Sequence, residues 1–135
     1  MLIDDIADVL SSGGAGTVGT TIFKGLMPDR PDACVAVYET GGLAPVHAMN
    51  PLVGQAVAER PRVQVVARAA QQDYETARSK ASCCFKLLDG LPGRTVNATR
   101  YLGAFAVQSP FLLGRDESGR VLLGCNFDVV QELTA

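Results

Sequence analysis

The chain has 135 residues, enough for one domain with a real hydrophobic core and no need of disulfide or metal staples. Apolar residues make up 47% and charged residues 19%, the balance of an ordinary soluble globular protein. Twelve basic against 14 acidic side chains leave a formal charge of −2, and the bases are scattered along the chain. That speaks against a protein that grips nucleic-acid phosphates, which would concentrate positive charge on one face.

The opening residues carry Asp4 and Asp5 where a signal peptide needs positive charge, and no apolar run approaches membrane-spanning length. Synthesis and folding in the cytoplasm, with no membrane partner, are the expectation. The cysteines agree. Cys34 and Cys125 lie in apolar runs, while Cys83 and Cys84 are adjacent and cannot close an ordinary disulfide. Buried free thiols are expected.

In chain order, Leu2, Ile3, Ile6, Val9 and Leu10 recur at helical spacing with Asp4, Asp5 and Asp8 opposite, a short helix stopped by Gly13 and Gly14. Thr17 to Phe23 is rich in β-branched residues and reads as a strand. Ala33 to Tyr38 is a nearly continuous apolar run and reads as a strand covered on both faces. From Gly41 to Pro61 the pattern weakens. Asn50 and Pro51 open a possible short helix over Leu52, Val53, Ala56 and Val57. A connection of this length is more often functional than idle, and the expectation is a loop that orders against a neighbouring subunit. Arg62 to Ala69 alternates, with Val63, Val65 and Ala67 on one face and Arg62, Gln64 and Arg68 on the other.

The longest helix follows, with Tyr74, Ala77, Ala81, Cys84, Phe85 and Leu88 in one stripe, acids in its first turn, Lys86 in its last, and Gly90 and Pro92 beyond it. Two strands close the chain. Arg100 to Gln108 places Tyr101, Phe105 and Val107 on one face, and Arg120 to Val130 places Val121, Leu123, Cys125, Phe127 and Val129 on one face. Asp116 to Gly119 forms a turn between them, favouring an antiparallel pair. The order predicts an α+β fold: a mostly antiparallel sheet flanked by a short N-terminal helix and a longer central helix, as a single domain over 1–135.

Catalytic chemistry finds no foothold. The glycines at 13, 14 and 16 follow a helix rather than a strand and lack a Gly-Lys-Ser/Thr signature. His47 is the only histidine, and no nucleophile turn or oxyanion-hole motif accompanies it or the cysteines. One histidine and four cysteines without a Cys-x-x-Cys pair make a poor zinc set. The pairs Asp4/Asp5 and Asp116/Glu117 fall on a solvated helix face and in a turn, not in an apolar pocket that would tune them for acid catalysis. The expectation is no enzyme, no catalytic residue, no cofactor and no metal.

Several blocks together resemble a known family. They are Ala33 to Gly42 with its Tyr-Glu-Thr-Gly-Gly ending, Glu59 to Val66 with Pro-x-Val-Gln-Val, Asp73-Tyr74 leading into a helix with Ala77-Arg78, and Gln108 to Arg120 followed by Asn126-Phe127. In this order they resemble the phage minor capsid and tail-terminator family, over about residues 20 to 130. The resemblance implies a virion structural protein of a tailed bacteriophage, placed at the head-proximal end of the tail. It implies a homo-oligomeric ring, typically hexameric, that caps the tail tube and joins it to the head. Its partners would be the tail tube protein and a head-completion or connector protein, with DNA passing through without specific binding. The mild negative charge suits such a channel. The neighbouring reading is another head-completion, stopper or minor capsid assembly protein, which position in a purified virion would separate. A small α+β enzyme or ligand-binding module is a third, which a measurement of oligomer size would separate. Inside the best-matching block, Arg115, Asp116, Glu117 and Arg120 bracket the turn with paired opposite charges and are the expected interface residues.

Overall fold

The computed structural model describes residues 1–47 and 56–132. Among them are two helices and seven strands: α1 (Leu2–Ser12), β1 (Ile22–Lys24), β2 (Cys34–His47), β3 (Ala56–Arg68), α2 (Tyr74–Leu88), β4 (Arg94–Val96), β5 (Thr99–Ala106), β6 (Phe111–Arg115) and β7 (Val121–Glu132). The strands form one sheet in the order β1-β2-β3-β7-β5-β4. β5 pairs with the second half of β7 and β6 with its first half. Only β1 runs parallel to its neighbour. The fold is α+β, with a mostly antiparallel sheet, as the hydrophobic pattern predicts.

Strand alternation sorts the sheet into two faces. Val35, Val37, Val63, Val65, Leu123, Cys125, Phe127 and Val129 meet Ile6, Leu10, Ala77, Ala81, Cys84 and Leu88 of the two helices in one buried core. Asp73 caps α2, its side chain accepting the Thr76 amide at 3.3 Å. α1 acts as a crosspiece. Its Asp4 takes an ion pair from Lys24 of β1 at 2.7 Å, and its Asp5 accepts hydrogen bonds from Tyr101 of β5 and from Asn97. Three strands separate β1 from β5 in the sheet order, so the sheet wraps around this helix.

The structure departs from the sequence pattern in five places. Asp5 is buried rather than solvated, because Tyr101 and Asn97 supply the hydrogen bonds that a buried carboxylate requires. The strand expected over Thr17 to Phe23 shrinks to Ile22–Lys24, since the amides of Thr20, Thr21 and Ile22 all turn back onto the Thr17 carbonyl. Residues 41–47 and 56–61 are not loop but the continuation of β2 and β3, paired through register shifts between Thr40 and Gly42 and between Leu43 and Val46. Glycine and proline at those irregularities are what weaken the alternation. The helix expected over Leu52 and Val53 lies outside the described residues, and Ala56 and Val57 begin β3. Finally, a register shift between Tyr101 and Gly103 reverses the parity of β5. Tyr101 is therefore buried, whereas Phe105 and Val107 stand 54% and 46% exposed on the other face.

Candidate functional site

The groups that could support catalysis are dispersed. His47 is exposed near the end of β2. Cys34, Cys84 and Cys125 are buried and Cys83 is half-buried, all as free thiols. Burial pushes the Cys84 thiol up to about 12 and Cys125 up to about 11, so neither carries an appreciable thiolate near neutral pH. Among the described residues no cluster of histidine, cysteine and carboxylates is arranged to hold a metal. A groove of about 460 Å³ along α2, lined by Arg78, Ser79, Ser82, Cys83, Lys86 and Leu87, brings no acid or imidazole to its thiol.

Polar organisation concentrates instead where the chain enters β2 and β7. Two arginines are buried there. Arg68 donates to the carbonyls of Pro28, Asp29, Pro31 and Asp32 at 2.6–3.3 Å, holding the segment before β2 through its backbone. Arg120 reaches Asp116, Asp29 and Asp32 at 2.7, 2.8 and 2.9 Å. Burial alone would disfavour its charge, but the three carboxylates outweigh that and raise its pKa. Burial likewise works against the Asp116 carboxylate. Amide donation from Arg120 and Ser118 and the Arg120 guanidinium prevail, holding Asp116 below the ordinary carboxylate range.

This clasp divides the four residues expected at an interface. Asp116 and Arg120 turn inward, Arg120 binding the segment at 29–32 and Asp116 holding Arg120 and the amides of the turn. Arg115 and Glu117 are exposed on the outside of the turn, with Arg115, among the described residues, donating only to the Gly119 carbonyl. Sequence reasoning missed Arg68, Asp29 and Asp32. The Asp-x-x-Asp spacing around Arg30-Pro31 was the available signal, although nothing local ties it to residues 68 and 120.

The face of the sheet away from the helices is bare over much of its area. The Arg62–Asp128 pair, at 2.7 Å, lies on it between β3 and β7. Toward β5 and β6 it becomes apolar, with Leu102, Phe105, Val107 and Leu113 all more than 40% exposed. Such an exposed apolar strip is a candidate contact surface.

The sequence matches the family of bacteriophage tail terminator proteins over residues 9–133. The chain belongs to that family. It is a structural protein of the phage tail, in a family that is not one of enzymes. This tail terminator is also similar in fold to a chain in a solved structure described as the virion of a native gene transfer agent particle. The TM-score is 0.57 at 15% identity, over 95% of this chain and 84% of that one. No curated protein matches the sequence. No helix among the described residues is long and apolar enough to cross a membrane.

Proposed function

We propose that the whole chain, as one domain over 1–135, closes into a homo-oligomeric ring, typically of six copies, at the head-proximal end of the tail. There it caps the tail tube and provides the surface on which the head-completion or connector protein docks. The observation that carries this reading is the tail-terminator match across nearly the entire chain. The physical character supports it. The sheet has a bare, partly apolar face and two free borders, while the buried ionic clasp keeps the subunit stiff enough to repeat in a ring. With a formal charge of −2, the subunit lets DNA pass without gripping it.

Within this reading the exposed Arg115 and Glu117 are docking contacts, and the inward Asp116 and Arg120 shape the turn that presents them. Particles made without the protein test the capping role. Tails longer than wild type and unattached to heads are the expected outcome. Tails of normal length beside heads that leak DNA would assign the protein to a stopper ring instead. Arg115→Glu should reduce joined particles while leaving the melting temperature of the subunit unchanged. Normal yield from that variant would return the turn to the solvated surface.

A further inference from the structure

One cross-strand row crosses four strands of the sheet on the helix side, from β3 to β4. Glu59 of β3 lies opposite Gln131 of β7, Gln131 opposite Tyr101 of β5, and Tyr101 opposite Arg94 of β4. The row ends in an acid toward one border and a base at the other. Glu59 and Arg94 are both exposed, and among the described residues neither takes part in an ion pair. Glu39 of β2, opposite Val63 on the same face and two rows along from Glu59, adds a second exposed acid. Arg100 of β5, exposed opposite Thr95 and on the bare face, adds a second base at the opposite border.

The bare face repeats this polarity in apolar form. Strand alternation puts Leu43 and Val46, 49% and 41% exposed, on it at the β2 border. Leu102, 48% exposed, stands at the β5 border. The β2 border is also shaped to receive a side chain. The register shifts and paired glycines open a recess of about 250 Å³ lined by Gly41, Gly42, Leu43, Pro45, Glu59 and Pro61, with Arg60. Arg60, on the bare face opposite Leu43, is engaged, donating to the Ala44 carbonyl at 2.9 Å. Pro45 and the same shifts spoil the free edge of β2 as a template for backbone pairing, so side chains must make the contact.

We infer that the β2–β3 border of one copy receives the β4–β5 border of the next, Arg94 seating against Glu59 at this recess while Leu43 and Val46 cover Leu102. The occupant is a second copy of this chain, because the two borders complement each other in charge, in apolar character and in face. A border that is acidic cannot satisfy itself across a twofold axis, so the contact is head-to-tail and closes into a ring only through rotation. The inference rests on the ring reading above and names the surfaces that make it.

The test uses full-length chains carrying Glu59→Arg or Arg94→Glu, with mass in solution as the readout and thermal melting as the check on folding. Each reversal alone sets like charges against each other and should raise the concentration needed for assembly by roughly tenfold. Mixing the two variants, or combining both reversals in one chain, should restore assembly, since opposite charges then meet at every joint. Wild-type rings undisturbed by either reversal would overturn this contact and leave the ring standing. Failure of both the mixture and the double variant to recover would also overturn it. A wild-type chain that remains monomeric at every concentration would remove the ring itself, and this contact with it.

Discussion

The two ends of the central strands use the same residue types in opposite ways. At the end where β2 begins and β3 finishes, Arg68 and Arg120 are buried and their donors are consumed inside the subunit, by four carbonyls and three carboxylates. At the other end, Glu59, Arg94 and Arg100 are exposed and, among the described residues, without ionic partners. Charge that is desolvated and fully bonded fixes the shape of a subunit, whereas charge left in water sets which surfaces find each other. A building block of a virion needs both. The comparison predicts that substitutions at the clasped end act on stability first, and those at the open end on assembly first.

The strongest break should come from Arg68→Met. It removes the donors of four carbonyls in the segment before β2 and is expected to cost about 3 kcal/mol in denaturant unfolding. Arg68→Lys should recover only part, because an ammonium cannot span the fork that the guanidinium fills. A loss below a few tenths of a kcal/mol would mean that the clasp is ornamental. Asp116→Asn sharpens the same point through pH. The folded-state pKa of Asp116 lies below its ordinary value, so its ionised form contributes stability that is fully present above about pH 4. That contribution is lost as pH falls through the lowered pKa. The gap in melting temperature between wild type and Asp116→Asn should hold steady from pH 5 to 8 and close below about pH 4. A gap that is unchanged down to pH 2 would contradict the assignment.

At the open end, Gly42→Ala is the corresponding intervention with a smaller cost to the subunit. An added Cβ would stand 2.7 Å from the Arg60 carbonyl oxygen, so the ribbon of β2 and β3 must shift, far from the helix-packed core. The expected outcome is a loss of about 1 kcal/mol in stability with a larger fall in assembled particles. Equal falls in both would remove the distinction between the two ends.

How far these features were legible in the sequence follows the same division. The helices and the core strands could be read because their apolar residues recur at fixed spacing, as in Val121 to Val129 and Ala77 to Leu88. Irregular backbone could not. The shift between Tyr101 and Gly103 reversed which β5 residues face the core, and the glycine-rich shifts in β2 made paired strand look like loop. The three-residue β4 and the five-residue β6 were too short to show a period. For the site, the charged turn at 115–120 was visible locally. That half of it turns inward depends on Asp29 and Asp32, some 90 residues away in the chain, which no local pattern connects to it.

The turn between β4 and β5 offers the finest adjustment, because it joins the two regimes. Asn97 and Ala98 both sit at positive φ, 47° and 67°, in the two-residue turn that suits a twisted antiparallel pair. Asn97 tolerates that geometry, and its amide is fixed by Asp5 at 2.9 Å and Asp8 at 2.7 Å, which ties the basic border to α1. Ala98 has no such compensation. Its Cβ makes the left-handed conformation costly, and the favoured residue at the second position of this turn is glycine. Ala98→Gly should therefore stabilise the subunit by roughly 0.5 kcal/mol, the relief of strain exceeding the added freedom of the unfolded chain. Asn97→Gly should destabilise it despite equal backbone freedom, because both hydrogen bonds to α1 are lost. Denaturant midpoints of the two variants measure this directly. If Ala98→Gly lowers stability, the turn is held in its strained form by contacts stronger than the local backbone preference. The position of Arg94 would then owe more to α1 than to the turn.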